Sequence, residues 1–166
     1  MIDLIVLDVD GCMTDGKIVY TNTQDELKSF NVKDGFAIVG WKRLGKKVAI
    51  ITGRTSKIVE YRANELGIDY LYQKVKRKDQ TLEELSRKSG IPLDRIAAIG
   101  DDLNDYRLLK KVARSFAPAD AVEEIKKIVD VVLDKKGGDG AVRQMIELLL
   151  QEEGLYKRYV DYWRDE

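Results

Sequence analysis

The 166-residue chain has no histidine, a single cysteine and no net charge, its 29 basic side chains matching 29 acidic ones. Without histidine there is no Ser-His triad, no imidazole metal ligand and no imidazole base. Acid–base and metal chemistry therefore falls to carboxylates and lysine. Cys12 has no partner for an internal disulfide, which fits a reducing, cytoplasmic compartment. Balanced charge gives no global pull toward nucleic acid or an anionic membrane. No apolar run approaches the roughly 18 residues of a membrane span. The start, Met1-Ile2-Asp3-Leu4, has no basic region leading into an apolar segment, so no signal peptide is read.

What the chain does have is 44% hydrophobic and 35% charged residues, the balance of a globular protein with a heavily charged surface. The length suits one domain, residues 1–166. A chain of this size buries roughly 68–70% of its unfolded surface, enough for a real core. The abundance of Lys and Glu is a composition found in thermophiles.

Short apolar runs predict buried strands at residues 4–9, 47–51, 70–72, 96–99, 114–117 and 131–133. Between them lie predicted helices at 35–44, 56–66, 80–88, 104–112, from 122, and 141–151, with Gly45, Gly67 and Gly90 as stops. Residues 17–32 read as a β-hairpin around a polar tip at 21–26. The tail, residues 152–166, is aromatic and looks helical. Strands alternating with helices predict an α/β fold: one doubly wound parallel sheet with a hairpin flap. Ligands of such sheets sit beyond the carboxyl ends of the strands.

The residues after the strands are Asp8-Val9-Asp10-Gly11, Thr52-Gly53-Arg54, the run Lys74, Lys76, Arg77, Lys78, and Gly100-Asp101-Asp102-Leu103-Asn104-Asp105. Taken singly, each has a bland reading. Asp8-x-Asp10 is also a polar turn, Thr52-Gly53 also a capped loop, the basic run also a solvated face or nucleic-acid patch, and the last cluster also a helix N-terminus. Three carboxylates within five residues fit that last reading less well and suit Mg²⁺. Together, in order after successive strands, they predict one site with a carboxylate pair, a phosphate cradle, a lysine point charge and a second carboxylate cluster.

In that ordered set the chain resembles the haloacid dehalogenase superfamily of phosphatases, on Asp8-Val9-Asp10-Gly11-Cys12-Met13-Thr14-Asp15-Gly16, Ile51-Thr52-Gly53-Arg54, Lys78 and Gly100-Asp101-Asp102. More narrowly it resembles the 3-deoxy-D-manno-octulosonate 8-phosphate phosphatases. The carrying segments are Glu26-Leu27-Lys28-Ser29-Phe30-Asn31-Val32-Lys33-Asp34-Gly35, Leu66-Gly67-Ile68, Tyr72-Gln73 and Gly137-Gly138-Asp139-Gly140-Ala141-Val142-Arg143. Cys12 stands where that pattern has a branched aliphatic residue, and a packing role is expected for it.

The resemblance implies Mg²⁺ held by the side chains of Asp8 and Asp101 and the carbonyl of Asp10, with Asp102 and Asp105 behind it around its waters. It implies phosphate held by Thr52, Gly53 and Lys78, Asp8 as nucleophile and Asp10 as general acid and base. Arg54, Lys33 and Arg143 are candidate sugar contacts. It also implies hydrolysis of the octulosonate 8-phosphate in lipopolysaccharide precursor synthesis, with a nine-carbon sialic-acid-type sugar 9-phosphate as the alternative. Two other classes stay open: a phosphorylatable receiver-like domain and a catalytically silent binding domain. The spans between the motifs leave no room for a cap domain. The resemblance implies a homotetramer that closes the capless site, with hairpin residues Ile18, Tyr20, Leu27 and Phe30 at the interface and residues 137–143 near a neighbour's Asp8. No nucleic acid or membrane partner is expected.

Overall fold

The computed structural model describes residues 1–165. Six parallel strands form one sheet: β1 (Leu4–Leu7), β4 (Lys47–Ile51), β5 (Tyr70–Tyr72), β6 (Ile96–Ile99), β7 (Arg114–Ala117) and β8 (Val131–Val132). Their spatial order is β5-β4-β1-β6-β7-β8. The chain runs outward on one side of β1 and then returns to build the other. The crevice of an open α/β sheet therefore opens at the carboxyl end of β1. The two remaining strands, β2 (Val19–Tyr20) and β3 (Glu26–Leu27), pair as a separate antiparallel hairpin.

Side-chain alternation assigns the two cores. Ile5 and Leu7 of β1, Val48 and Ile50 of β4, and Ala97 and Ile99 of β6 face one layer. That layer holds α1 (Val32–Arg43), α2 (Lys57–Glu65), α6 (Ala141–Glu152) and α7 (Tyr156–Arg164). Leu4, Val6, Ala49, Ile51, Ile96 and Ala98 face the other, built from α3 (Lys78–Ser89), α4 (Tyr106–Leu109) and α5 (Glu123–Lys126). Helices on both faces explain why the strands read as unbroken apolar runs.

Several boundaries differ from the sequence reading. Helix α1 starts at Val32, three residues early, because the Asn31 side chain accepts the Lys33 amide at 2.8 Å. Helix α3 likewise starts early, at Lys78. The helix expected at 104–112 is broken into a tight turn, Leu103–Asp105, and the four residues of α4, because Asp102 and Asp105 cap the turn reciprocally. The hairpin ladder is only two pairs long, Val19↔Leu27 and Tyr20↔Glu26. Ile18, Val19, Tyr20 and Leu27 are exposed, and Phe30 is half-buried, packed in part against the core. No separate domain is inserted between β1 and β4 or between α3 and β6 among the described residues.

The tail is helical and docked. Tyr159 is buried and fills a notch at Gly40, where a Cβ would stand 2.3 Å from its ring. Trp163 stacks on Phe36 at 3.8 Å between centroids, with the Arg43 guanidinium 4.3 Å from the Trp163 ring.

Candidate active site

A cleft of about 450 Å³ opens at the carboxyl ends of β1, β4 and β6, lined by Asp8, Asp10, Gly16, Thr52, Gly53, Arg54, Asp101, Asp102 and Asn104. Lys78 lies beneath it, 2% exposed, and Asp105 is equally buried. The sheet register produces this convergence. Leu7 of β1 stands opposite Ile50 and Ile99, so Asp8 and Gly100 leave the sheet level with each other and Thr52 follows one residue further along β4. The Asp8 amide donates to the Ile99 carbonyl at 3.3 Å and extends that register one step.

The loop after β1 is held by Thr14. Its hydroxyl accepts the Gly11 and Gly16 amides at 3.3 and 3.2 Å and donates to the Val9 carbonyl at 3.4 Å. Gly11 sits at φ +93°, and a Cβ there would stand 2.0 Å from Asp101 Oδ2. Only glycine lets this loop lie against the Asp101 carboxylate. Gly137 is the second close approach, since a Cβ on it would stand 1.8 Å from the Gly11 carbonyl oxygen. The Gly138 amide donates to the Cys12 carbonyl at 3.0 Å. Residues 137–138 thus brace their own chain's Asp8 loop, a role the sequence reading missed.

The charges are arranged in series. Lys78 Nζ donates to Asp8 Oδ1 at 2.7 Å and to Asp105 Oδ1 at 2.6 Å. Asp105 Oδ2 accepts the amides of Asp101 and Asp102 at 3.1 and 3.4 Å, so one carboxylate fixes both the lysine and the second acidic loop. Burial opposes the ammonium charge, but Asp8 and Asp105 outweigh it and hold Lys78 well above the ordinary lysine range. Burial and then the Asp105 charge push Asp8 up to about 7, against the opposing pull of Lys78. Burial, followed by Asp8, Asp105 and Asp102, pushes Asp101 up to about 8.

Asp8, Asp101 and Cys12 offer ligand atoms within 4.8 Å of one another. Two like-charged carboxylates crowded in a buried site resist joint ionisation, and a bound cation relieves that repulsion. Hard oxygen donors suit Mg²⁺. Burial keeps the Cys12 thiol protonated and it is fully covered, which fits packing. Asp102 accepts the Leu103 amide at 2.7 Å and so works as a cap at the cleft wall.

The predicted sugar contacts separate. Arg54 lines the cleft, 3.3 Å from both Glu26 Oε1 and the Tyr20 hydroxyl. Lys33 and Arg143 instead line a different depression with Asn31, Lys135, Asp139 and Glu147, so within one chain they do not join Asp8. Lys28 was not singled out by the sequence reading. It reaches from the hairpin to Asp10 Oδ1.

Residues 70–146 match the family of haloacid dehalogenase-like hydrolases. The chain is 43% identical over 153 residues to the 3-deoxy-D-manno-octulosonate 8-phosphate phosphatase of Escherichia coli K12, covering 92% of this chain and 81% of that protein. The solved structure of the Yersinia pestis phosphatase of the same name superposes with a TM-score of 0.92 at 41% identity, covering 94% of this chain and 84% of that one. The Moraxella catarrhalis phosphatase, solved with magnesium, phosphate and its sugar acid, superposes with a TM-score of 0.95 at 36% identity, covering 98% and 93%. The chain belongs to the haloacid dehalogenase-like hydrolases, an enzyme family to whose phosphatases it is similar over nearly its whole length.

Proposed function

We propose that this chain is a Mg²⁺-dependent phosphatase of 3-deoxy-D-manno-octulosonate 8-phosphate, releasing the free sugar acid and phosphate during lipopolysaccharide precursor synthesis. The observation that carries the reading is the buried Asp8 carboxylate, held by Lys78 beside Asp101, in a cleft that Thr52, Gly53 and Asp10 also line. The names and bound molecules of the similar phosphatases supply the substrate.

A phosphomonoester dianion repels an attacking carboxylate, so the site must neutralise charge first. Asp8, Asp101 and the Asp10 carbonyl are the groups that would hold Mg²⁺, which when bound supplies positive charge beside the phosphoryl oxygens. Lys78 adds a fixed cation, and Thr52 with the Gly53 amide binds the remaining oxygens. An Asp8 oxygen attacks phosphorus in line, and the phosphorus–sugar oxygen bond breaks. Asp10 gives its proton to that leaving oxygen. Asp10 then takes a proton from water, which attacks phosphorus and frees Asp8 and inorganic phosphate.

A capless cleft exposes its substrate to water. We propose that a homotetramer supplies the cover, with the exposed hairpin at the interface and Lys33 and Arg143 serving a neighbour's site. Light scattering paired with activity on dilution tests this: a monomer with undiminished activity rules it out. For the substrate, the test is a panel of phosphate esters. The octulosonate 8-phosphate is expected to give the highest kcat/KM, above a nine-carbon sugar acid 9-phosphate. Phosphopeptides or nucleotides outperforming both would overturn the assignment.

A further inference from the structure

We propose that Lys28 is a positioning residue: it pins one oxygen of Asp10 and thereby couples docking of the hairpin to proton transfer at the active site. This rests on the reading of Asp10 as the acid and base given above.

The geometry begins with strand alternation. Glu26 of β3 and Lys28, just past the strand's end, turn to the same side and meet, while Leu27 between them is exposed. Tyr20 stands across the ladder from Glu26. Hairpin side chains therefore meet the site as a charged row. Lys28 Nζ contacts Asp10 Oδ1 and lies 3.2 Å from Glu26. Arg54 bonds Glu26 and Tyr20 from the loop after β4, and its Nε lies 4.0 Å from Asp10 Oδ2.

A lysine on a small flap ordinarily keeps its ammonium in water. The Lys28 side chain is 0% exposed. Burying it loses hydration and rotamer freedom, and among the described residues two carboxylates, Asp10 and Glu26, compensate. A two-pair hairpin is too short to hold its own position. The Lys28–Asp10 and Arg54–Glu26 pairs cross between the hairpin and the cleft and hold the two together. With Oδ1 engaged by Lys28, Oδ2 is the Asp10 oxygen left to give and take the proton. Lys28 touches Asp10 and is not among the residues that line the cleft.

The test compares Lys28→Met, Lys28→Arg and Asp10→Asn in the full-length, Mg²⁺-loaded enzyme, with the sugar phosphate and with 4-nitrophenyl phosphate. The aryl leaving group departs without a proton, so its first turnover does not need Asp10 as an acid. Lys28→Met is expected to lower kcat on the sugar phosphate about 30-fold or more, with KM changed by less than about 3-fold. On the aryl ester it should release about one equivalent of nitrophenolate per chain at near wild-type rate, then turn over slowly as water activation limits. Lys28→Arg, which retains charge and reach, should recover most of kcat. If Lys28→Met fails to fold, Lys28→Gln carries the same test, since an amide retains a donor without the charge or the reach.

A raised KM for the sugar acid alone, with kcat intact, would make Lys28 a substrate contact and overturn the proposal. Equal losses in the first and later turnovers on both esters would make it merely structural, and an unchanged enzyme would make it idle. If Asp10→Asn turns over normally, the acid–base reading itself fails. If Asp10→Asn is crippled and Lys28→Met is not, only this inference does.

Discussion

Lys78 and Asp105 form a buried ion pair, Nζ to Oδ1 at 2.6 Å, that ties the start of α3 to the loop after β6 directly beneath Asp8. The pair explains how a lysine can sit 2% exposed under an active site. Its charge is answered from two sides, by Asp105 below and Asp8 above.

Removing one member should cost more than removing a surface charge. Asp105→Ala leaves Lys78 with half its compensation and frees the Asp101 and Asp102 amides. A loss of about 3–5 kcal/mol in chemical unfolding is expected. Lys78→Met keeps the stem but strands two buried carboxylates, Asp8 and Asp105, so it too should destabilise the fold, and it should lower kcat about 100-fold or more. A stable, fully active Asp105→Ala enzyme would contradict the arrangement.

Gly137→Ala changes no group that touches phosphate, yet its Cβ would strike the Gly11 carbonyl. The clash must push the Asp8 loop or the 137–138 loop aside. Overpacking of about 1–3 kcal/mol and a fall in kcat of about tenfold or more are expected, because small shifts of a nucleophile are costly. Unfolding curves and steady-state kinetics on the same preparation check both.

Asp34 gives the pH prediction. It is buried, its Oδ1 accepts the Arg143 amide at 2.8 Å, and Oδ2 has no hydrogen-bond partner among the described residues. Burial pushes its carboxyl up to about 6, against the opposing Arg143 and Gly140 amides and the Arg143 charge, with Asp139 adding to the rise. The folded value thus lies above the unfolded one, so the protonated acid favours the fold. That contribution is complete below about pH 4 and is lost as pH rises through 6, by up to about 3 kcal/mol. Asp34→Asn retains an acceptor for the Arg143 amide and cannot ionise. Relative to wild type its stability should rise between pH 4 and 7. Parallel pH–stability curves for the two proteins would contradict this.

Magnesium should stabilise the fold as well as activate it. Asp8 and Asp101 repel each other across a buried site, and a bound cation relieves that. At 100 times its Kd, Mg²⁺ is expected to add about 2.7 kcal/mol. For a chain of this size that is roughly 5–10 °C in Tm. A chelator should remove the gain, and Asp101→Asn should abolish it. An equal Mg²⁺ gain in Asp101→Asn would place the ion elsewhere.

The elements that sequence alone revealed are those whose signal is local. Leu4–Leu7, Ile96–Ile99 and all of Lys47–Ile51 but its exposed first lysine are buried on both faces, so each reads as an apolar run, and the charged residues after them fell on one sheet edge. Gly67 and Gly90 as left-handed stops were equally readable. What could not be read depends on side-chain reach across the fold. Asn31 starts α1 through a single hydrogen bond that an apolar-periodicity argument passes over. Asp105 looks like one more helix-start aspartate until its bond to Lys78, 27 residues away, is known. The separation of Lys33 and Arg143 from Asp8, and the contact of Lys28 with Asp10, follow from tertiary placement alone.

Phosphate is expected to pass through Asp8 on its way from sugar to water. The direct measurement is rapid quenching of the enzyme with octulosonate 8-phosphate labelled on phosphorus, followed by mapping of the label along the chain. Up to one labelled phosphoryl group per chain is expected, on Asp8, lost on chase with unlabelled substrate. No label and no turnover are expected in Asp8→Asn, with the fold intact. Steady hydrolysis with no label on Asp8, or undiminished hydrolysis by Asp8→Asn, would contradict it.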